Sequence, residues 1–220
     1  MANDGREIEI KLHVADLNAL RNQLRRLGAK ATPRRFERNI LYDTPASELR
    51  ETGRLLRIRI ETPASGRRSS ATPRKTRSSA RSHAHPRGIL TYKAPVSPGI
   101  QAESSLRYKE RKEIEIEYHP AENLETILAA IGLRSGFRYD KFRTSYRLRR
   151  FPGLHLDLDE TPLGNYLELE GSPAAIDRAA LLLGFSPQEY ITASYWDLHV
   201  ADSRGRNVTP GDLVFKNRKK

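Results

Sequence analysis

Residues 6–14 read Arg-Glu-Ile-Glu-Ile-Lys-Leu-His-Val, and their strict alternation is the pattern on which the fold turns. Side chains two apart on a strand share a face, so Glu7, Glu9 and Lys11 stand on one side and Ile8, Ile10 and Leu12 on the other. Taken alone, this is a half-buried strand with charge toward water and aliphatics toward a core.

The same opposition recurs along the chain. Strand signals extend over 34–43, 55–60, 89–94, 107–118, 137–148, 154–159 and 165–170. Their charged faces carry Arg57 with Arg59, Lys93, Arg111 with Glu113 and Glu115, Lys141 with Arg143, Asp157 with Asp159, and Glu168 with Glu170. The opposite faces carry Leu56, Ile58 and Ile60, then Ile114 and Ile116, Leu156 and Leu158, and Leu167 and Leu169. Between the strands, Asp16 is placed to cap a helix with a Leu17, Leu20, Leu24 and Leu27 stripe that Gly28 ends. Ser47 is placed to start a short helical turn that stops near Gly53. A further helix is expected from Leu124, Ile127, Leu128 and Ile131, another over about 174–183, and a short one near Tyr190, Tyr195 and Trp196.

Two features separate this set from ordinary half-exposed sheet. Charges are paired by sign within strands, and the chain offers amphipathic helices able to cover aliphatic faces from outside. The expected fold is therefore α+β: an eight-stranded antiparallel β-barrel, closed as a tunnel, with flanking helices and an interior able to hold one small ligand. Buried charges must be paired or must hold ions. Converging carboxylates suit a hard cation such as Mg²⁺ or Mn²⁺, and several Lys and Arg suit a polyanion with more than one phosphate. Together these groups make a phosphoryl-transfer site.

Composition narrows the classes. Of 220 residues, 37% are hydrophobic and 30% charged, and no apolar run approaches a membrane span. Cysteine is absent, which removes disulfide frameworks and thiolate metal sites. Met1-Ala2-Asn3-Asp4-Gly5 runs straight into a charged strand without a signal-peptide pattern, so a cytoplasmic protein without a membrane partner is expected. The net charge of +12 sits mostly in two runs. Residues 62–87 hold Arg67, Arg68, Arg74, Lys75, Arg77, Arg81 and Arg87 with no acid, and 202–220 form a second basic stretch. Both have the composition of flexible chain, read here as a long hairpin loop and, from 201, a tail; weak electrostatic contact with nucleic acid is the alternative. No Walker-type phosphate loop, H-E-x-x-H or Ser/His/Asp arrangement is visible. His13 and His155 fall on charged faces and read as interior hydrogen-bonding groups. Tyr92, Tyr118 and Tyr195 read as packing residues.

Glu7-Ile8-Glu9-Ile10-Lys11 resembles the ExExK signature of the CYTH superfamily, the triphosphate tunnel metalloenzymes. The blocks that follow resemble the family's in the same order: Leu56-Arg57-Ile58-Arg59, Leu90-Thr91-Tyr92-Lys93, Arg111-Lys112-Glu113-Ile114-Glu115, Lys141-Phe142-Arg143, Leu158-Asp159-Glu160 and Leu167-Glu168-Leu169-Glu170. Ser194-Tyr195-Trp196-Asp197-Leu198 resembles the closing helix, and the likeness runs over about 6–200. The resemblance implies that Lys11, Arg57, Arg59, Lys93, Arg111, Lys141 and Arg143 grip a triphosphate. It also implies that Glu7, Glu9, Glu168 and Glu170, with Asp159 and Glu115, hold one or two Mg²⁺ or Mn²⁺ ions, and that Lys11, Glu9 and Glu170 form the catalytic set. Asp159 is preferred to Asp157 on the strength of its Asp-Glu-x-Pro-Leu-Gly context.

Three functions fit this reading. The first is a metal-dependent triphosphatase acting on inorganic triphosphate, a nucleoside triphosphate or thiamine triphosphate. The second is a class IV adenylate cyclase making cAMP and pyrophosphate, and no clear adenine pocket is visible in the sequence. The third is a non-catalytic polyphosphate or nucleic-acid binder, against which the large carboxylate set argues. Oligomeric state and the group that accepts the water's proton are left open.

Overall fold

The computed structural model describes residues 5–64, 86–96, 107–119 and 123–216. Nine strands form: β1 (Arg6–Val14), β2 (Lys30–Ala31), β3 (Arg35–Asp43), β4 (Leu55–Pro63), β5 (Arg87–Pro95), β6 (Lys109–Tyr118), β7 (Arg134–Arg147), β8 (His155–Thr161) and β9 (Gly164–Glu170). All the pairings are antiparallel, and around the sheet β7, β3, β4, β5, β6, β1, β9 and β8 are hydrogen-bonded neighbours. β7 also pairs with β8, matching Arg143 with Asp159 and Tyr146 with Leu156, which closes the ring. Closure thus rests on one strand of 14 residues that meets β3 along most of its length and β8 along its last third. The expected eight-stranded barrel is present, and β2, two residues beside the end of β7, is the one strand without a signal in the sequence.

Five α-helices lie within the described residues: α1 (Leu17–Arg26), α2 (Glu48–Glu51), α3 (Asn123–Ala130), α4 (Pro173–Leu182) and α5 (Tyr195–Gly205). The Asp16 carboxylate accepts from Ala19 N at 2.9 Å, as a cap should, and Gly28 leaves α1 at φ 74°. Ser47 does not cap α2: it sits at φ 63°, and the Asp43 carboxylate accepts instead from Leu49 N (2.9 Å) and Arg50 N (3.0 Å). The final helix is longer than expected and opens on a capping box between Ser194 and Asp197.

Helices α1 and α4 cover β1, β8 and β9 from outside, burying Ile10, Leu12, Leu24, Leu156, Leu158, Leu167, Leu169 and Ile176 completely. Each such side chain contributes roughly 1.5–3 kcal/mol of burial. Helix α3 covers β3, β4 and β5 with Leu124 and Leu128, while its Ile127, and Ile131 just past its end, are exposed. The ring of Tyr118 lies across Gly88, where an added Cβ would stand 2.6 Å from it. On β6 the aliphatic face is not covered: Ile114 and Ile116 are more than half exposed. Of that strand, only Tyr118 joins the apolar cluster with Leu124 and Leu128 of α3.

The predicted loop joins two hydrogen-bonded neighbours, β4 and β5, and its residues 65–85 lie outside the described residues. The predicted tail departs from expectation. Residues 201–205 continue α5, and Leu213 is buried against β7, exchanging backbone hydrogen bonds with Arg138 and Asp140 at 2.9 Å. His199 holds the turn by contacting the Gly211 carbonyl at 2.9 Å. No described helix is long and apolar enough to cross a membrane.

Candidate active site

Because β1 pairs with β9 so that Glu9 faces Glu170 and Lys11 faces Glu168, inward-pointing charges of both signs meet across strands. The same holds for Lys93 opposite Glu113 and for Arg143 opposite Asp159. The result is a cavity of about 290 Å³ inside the barrel, lined by nine Lys or Arg side chains and seven carboxylates.

The seven cations expected to grip phosphate, Lys11, Arg57, Arg59, Lys93, Arg111, Lys141 and Arg143, all line this cavity. Glu7, Glu9, Glu115, Glu168 and Glu170 line it too, with Glu115 at the rim and 41% exposed. Asp159 is placed differently. It is fully buried behind the wall, where it accepts from Lys141 Nζ (2.8 Å), Arg143 Nε and Nη2 (2.6 Å each) and the Tyr195 hydroxyl (2.8 Å). Asp157, ranked below it in the sequence, is the one that lines the cavity. The alternation is sound for both, but only the tertiary packing of Tyr195 and β7 decides which one reaches the lumen. Tyr195 is more than packing: Lys11 and Lys141 lie over its ring at 5.5 and 5.3 Å. His13 is exposed and edge-on to Tyr166, not interior, and His155 is an exposed rim residue beside Arg147.

Sequence reasoning missed Lys109, Arg35, Tyr139 and Glu37. Lys109 shares a face with Arg111 and reaches Glu9 at 3.2 Å, a position the strand signal over 107–118 already contained. Tyr139 hydrogen-bonds Arg57 at 3.4 Å.

At one end of the cavity acids are in surplus. Lys93 binds Glu7 at 2.7 Å and Glu113 at 3.0 Å, and Lys11 holds Glu9 at 3.2 Å and Glu168 at 3.4 Å. Glu9 is pushed up by burial, yet Lys11 and Lys109 outweigh this and hold it well below the carboxylate range. Glu170 has less of that compensation: burial and the charges of Glu7, Glu113 and Glu9 outweigh Lys93 and push its carboxyl up to about 7. The opposite imbalance surrounds Lys109, which burial and the nearby Lys11, Arg111 and Lys93 push down despite Glu9. An acid surplus beside a cation surplus suits a divalent cation next to an oxyanion. Among the described residues no three acidic or imidazole groups already stand at metal-ligating spacing, because lysines occupy the gaps between them.

The raised Glu170 sets a pH dependence for the metal-free fold. A carboxyl with a folded pKa of about 7 against 4.5 binds its proton more tightly when folded, so stability is lost as pH rises between those values. Glu170→Gln is therefore expected to be more stable than the parent at pH 8, by on the order of 2 kcal/mol given its partial exposure, and equal to it at pH 4. Urea denaturation in chelator at both pH values checks this.

A second cavity, of about 350 Å³, adjoins the first and shares Leu55, Arg111 and Ser194 with it. Tyr42, Phe137 and Trp196 line it with Arg50 and Arg54, and Trp196 packs edge-on against Phe137 at 4.8 Å.

Residues 5–180 match the CYTH domain. A Methanocaldococcus jannaschii protein whose name suggests an adenylate cyclase is 27% identical over 172 residues, 78% of this chain and 79% of that one. The fold is similar to that of the PH1819 protein of Pyrococcus horikoshii, with TM-score 0.65, 22% identity and coverage of 89% and 99% of the two chains. It is also similar to a Hippeastrum protein proposed as an adenylyl cyclase and reported to have a dominant triphosphatase activity, with TM-score 0.52, 19% identity and coverage of 89% and 96%. With four-fifths of its length matched, the chain belongs to the CYTH domain family.

Proposed function

We propose that this protein is a divalent-metal-dependent triphosphatase that works inside its barrel. One observation carries the reading: a closed, strand-lined cavity lined by nine cations and seven carboxylates, with acids in surplus around Glu170 and cations in surplus around Lys109. A binder of anions alone gains nothing from so many acids, and each buried carboxylate costs desolvation free energy.

In this reading Lys11, Lys93, Arg57, Arg59, Arg111, Lys141 and Arg143 bind phosphate oxygens, and Lys93, Lys11 and Arg143 give up Glu7, Glu9 and Glu168 to do so. That exchange frees Glu7, Glu9 and Glu168, which together with Glu170 are the residues that would hold Mg²⁺ or Mn²⁺. A bound divalent ion supplies charge neutralisation on the phosphates and a more acidic water. Before the ion binds, burial and the neighbouring acids hold the Glu170 carboxyl near 7, so at neutral pH a proton is released as the ion arrives. Asp159 holds Lys141 and Arg143 in place, and Glu115 braces Arg57 at 3.3 Å. The test is to supply tripolyphosphate, ATP and thiamine triphosphate with either metal and to resolve phosphate, pyrophosphate and cAMP. Phosphate release supports the reading. Pyrophosphate with cAMP from ATP overturns it in favour of cyclisation, and absence of any turnover leaves a binder.

The cyclase reading is favoured by the adjoining aromatic cavity, which provides room for an organic group beside the triphosphate. Trp196→Ala is expected to raise KM for ATP about tenfold, the worth of one stacking contact, and to leave KM for tripolyphosphate unchanged. Steady-state kinetics on both substrates checks it. Equal effects on the two place Trp196 outside substrate binding.

A further inference from the structure

We propose that Glu37 is a positioning residue of the anion site, a shared counter-charge that aims Arg59, Lys141 and Arg143 into the cavity without touching the ligand itself. The inference rests on the reading of the cavity as an anion site and adds a residue that no strand pattern singled out.

Glu37 lies on the inward face of β3, fully buried, and is not among the side chains that line the cavity. Its Oε1 accepts from Arg35 Nε at 2.8 Å and stands 3.9 Å from Arg143 Nε. Its Oε2 stands 3.6 Å from both Arg59 Nε and Lys141 Nζ and makes no hydrogen bond. Four cations of the wall thus converge on one carboxylate from behind. Burial opposes its ionisation, but Arg59, Lys141 and Arg143 prevail and hold it charged.

The register explains why this position can do so. Glu37 is paired with Lys141 across β3 and β7 and with Glu61 across β3 and β4, so it stands between the strands that carry Lys141 and Arg143 on one side and Arg59 on the other. Asp159 holds Lys141 and Arg143 from the β8 side. Without Glu37, Arg143 is left to Asp157, Asp159 and Glu168, and Arg59 to the Asn39 Oδ1 at 3.1 Å and Glu61 at 3.8 Å. Arg143 then keeps Asp157 and Glu168, which line the cavity. Lys141, however, is drawn onto Asp159 behind the wall and Arg59 onto β3 and β4, so the three no longer point as one set. A pre-aimed set of donors is what makes an anion site effective.

The experiment is calorimetric titration of inorganic tripolyphosphate, without metal, into the wild type and Glu37→Gln, scaled to the folded fraction by circular dichroism. The wild type is expected to bind, and Glu37→Gln is expected to bind at least tenfold more weakly per folded molecule. A purely structural Glu37 leaves that per-molecule affinity unchanged, and this result overturns the proposal. Tighter binding also overturns it, since that is the outcome if Glu37 only offsets positive charge. No binding by the wild type overturns the anion-site reading itself, independently of Glu37. Should Glu37→Gln fail to fold, Glu37→Asp carries the test: its shorter carboxylate is expected to cost threefold or more in affinity, and wild-type affinity overturns the proposal.

Discussion

Arg143→Ala is expected to abolish triphosphate turnover and to cost about 3–5 kcal/mol of stability, the scale for removing one partner from a buried ion cluster. Arg143 is the most heavily engaged cation in the barrel. Its guanidinium contacts Asp157 at 2.8 Å, both oxygens of Asp159 at 2.6 Å, and Glu168. Those three carboxylates hold its charge firmly in place against the pull of burial. Removing it leaves Asp159 with Lys141 and Tyr195 and strips Asp157 of its cation, in a site where water cannot fully replace the lost donors. Arg143→Lys keeps the charge and loses the planar fork, so it should recover roughly half of the stability and little of the turnover. Urea midpoints and phosphate release on the two variants separate the contributions. An alanine variant with parental stability would show that the cluster relaxes without cost, against the ion-pair account.

The second large effect is expected at Glu9→Gln, a loss of turnover on the order of 10²–10³ with tripolyphosphate binding retained in the absence of metal. Glu9 is buried between Lys11 and Lys109, each at 3.2 Å, and Glu168 and Glu170 approach from β9. Neutralising it removes a ligand from the acid-rich corner. It also releases Lys11, which phosphate oxygens are proposed to take over, together with Lys109. Metal-free binding should therefore stay level or tighten while the metal requirement rises. Calorimetry with Mg²⁺ or Mn²⁺, beside phosphate release across a metal titration, reads both arms. Loss of metal-free tripolyphosphate binding in Glu9→Gln would place Glu9 in the grip on the anion and not in the metal site.

Both variants depend on residues that were legible before any fold was known. Period-two alternation is a covalent property of extended chain, so Glu9 and Lys11, or Lys141 and Arg143, share a face wherever the strand goes. What was illegible follows the same logic. In 35–43, inward Arg35, Glu37 and Asn39 alternate with Phe36, outward Arg38 and Ile40, and the exposed Arg38 erases the contrast that marks a charged face. Ile114 and Ile116 look like core by alternation and are exposed, because a pattern says which face is apolar but not whether a helix arrives to cover it. The basic tail was read as loose from composition, whereas Leu213 and Phe215 dock on β7 through a few apolar contacts that charge counting hides.

The sequence by itself determined the strand faces, the order of the charged blocks and the sign carried by each, since these depend only on neighbours along the chain. Tertiary structure alone decided closure through the double pairing of β7, and with it the ion pairs that gather acids at one corner. It also decided that Asp157 reaches the lumen while Asp159 and Glu37 stand behind its wall, and that an aromatic cavity adjoins the site. These depend on register and closure, which bring together residues more than a hundred positions apart. Electrostatic energy follows those distances through space, not separation along the chain.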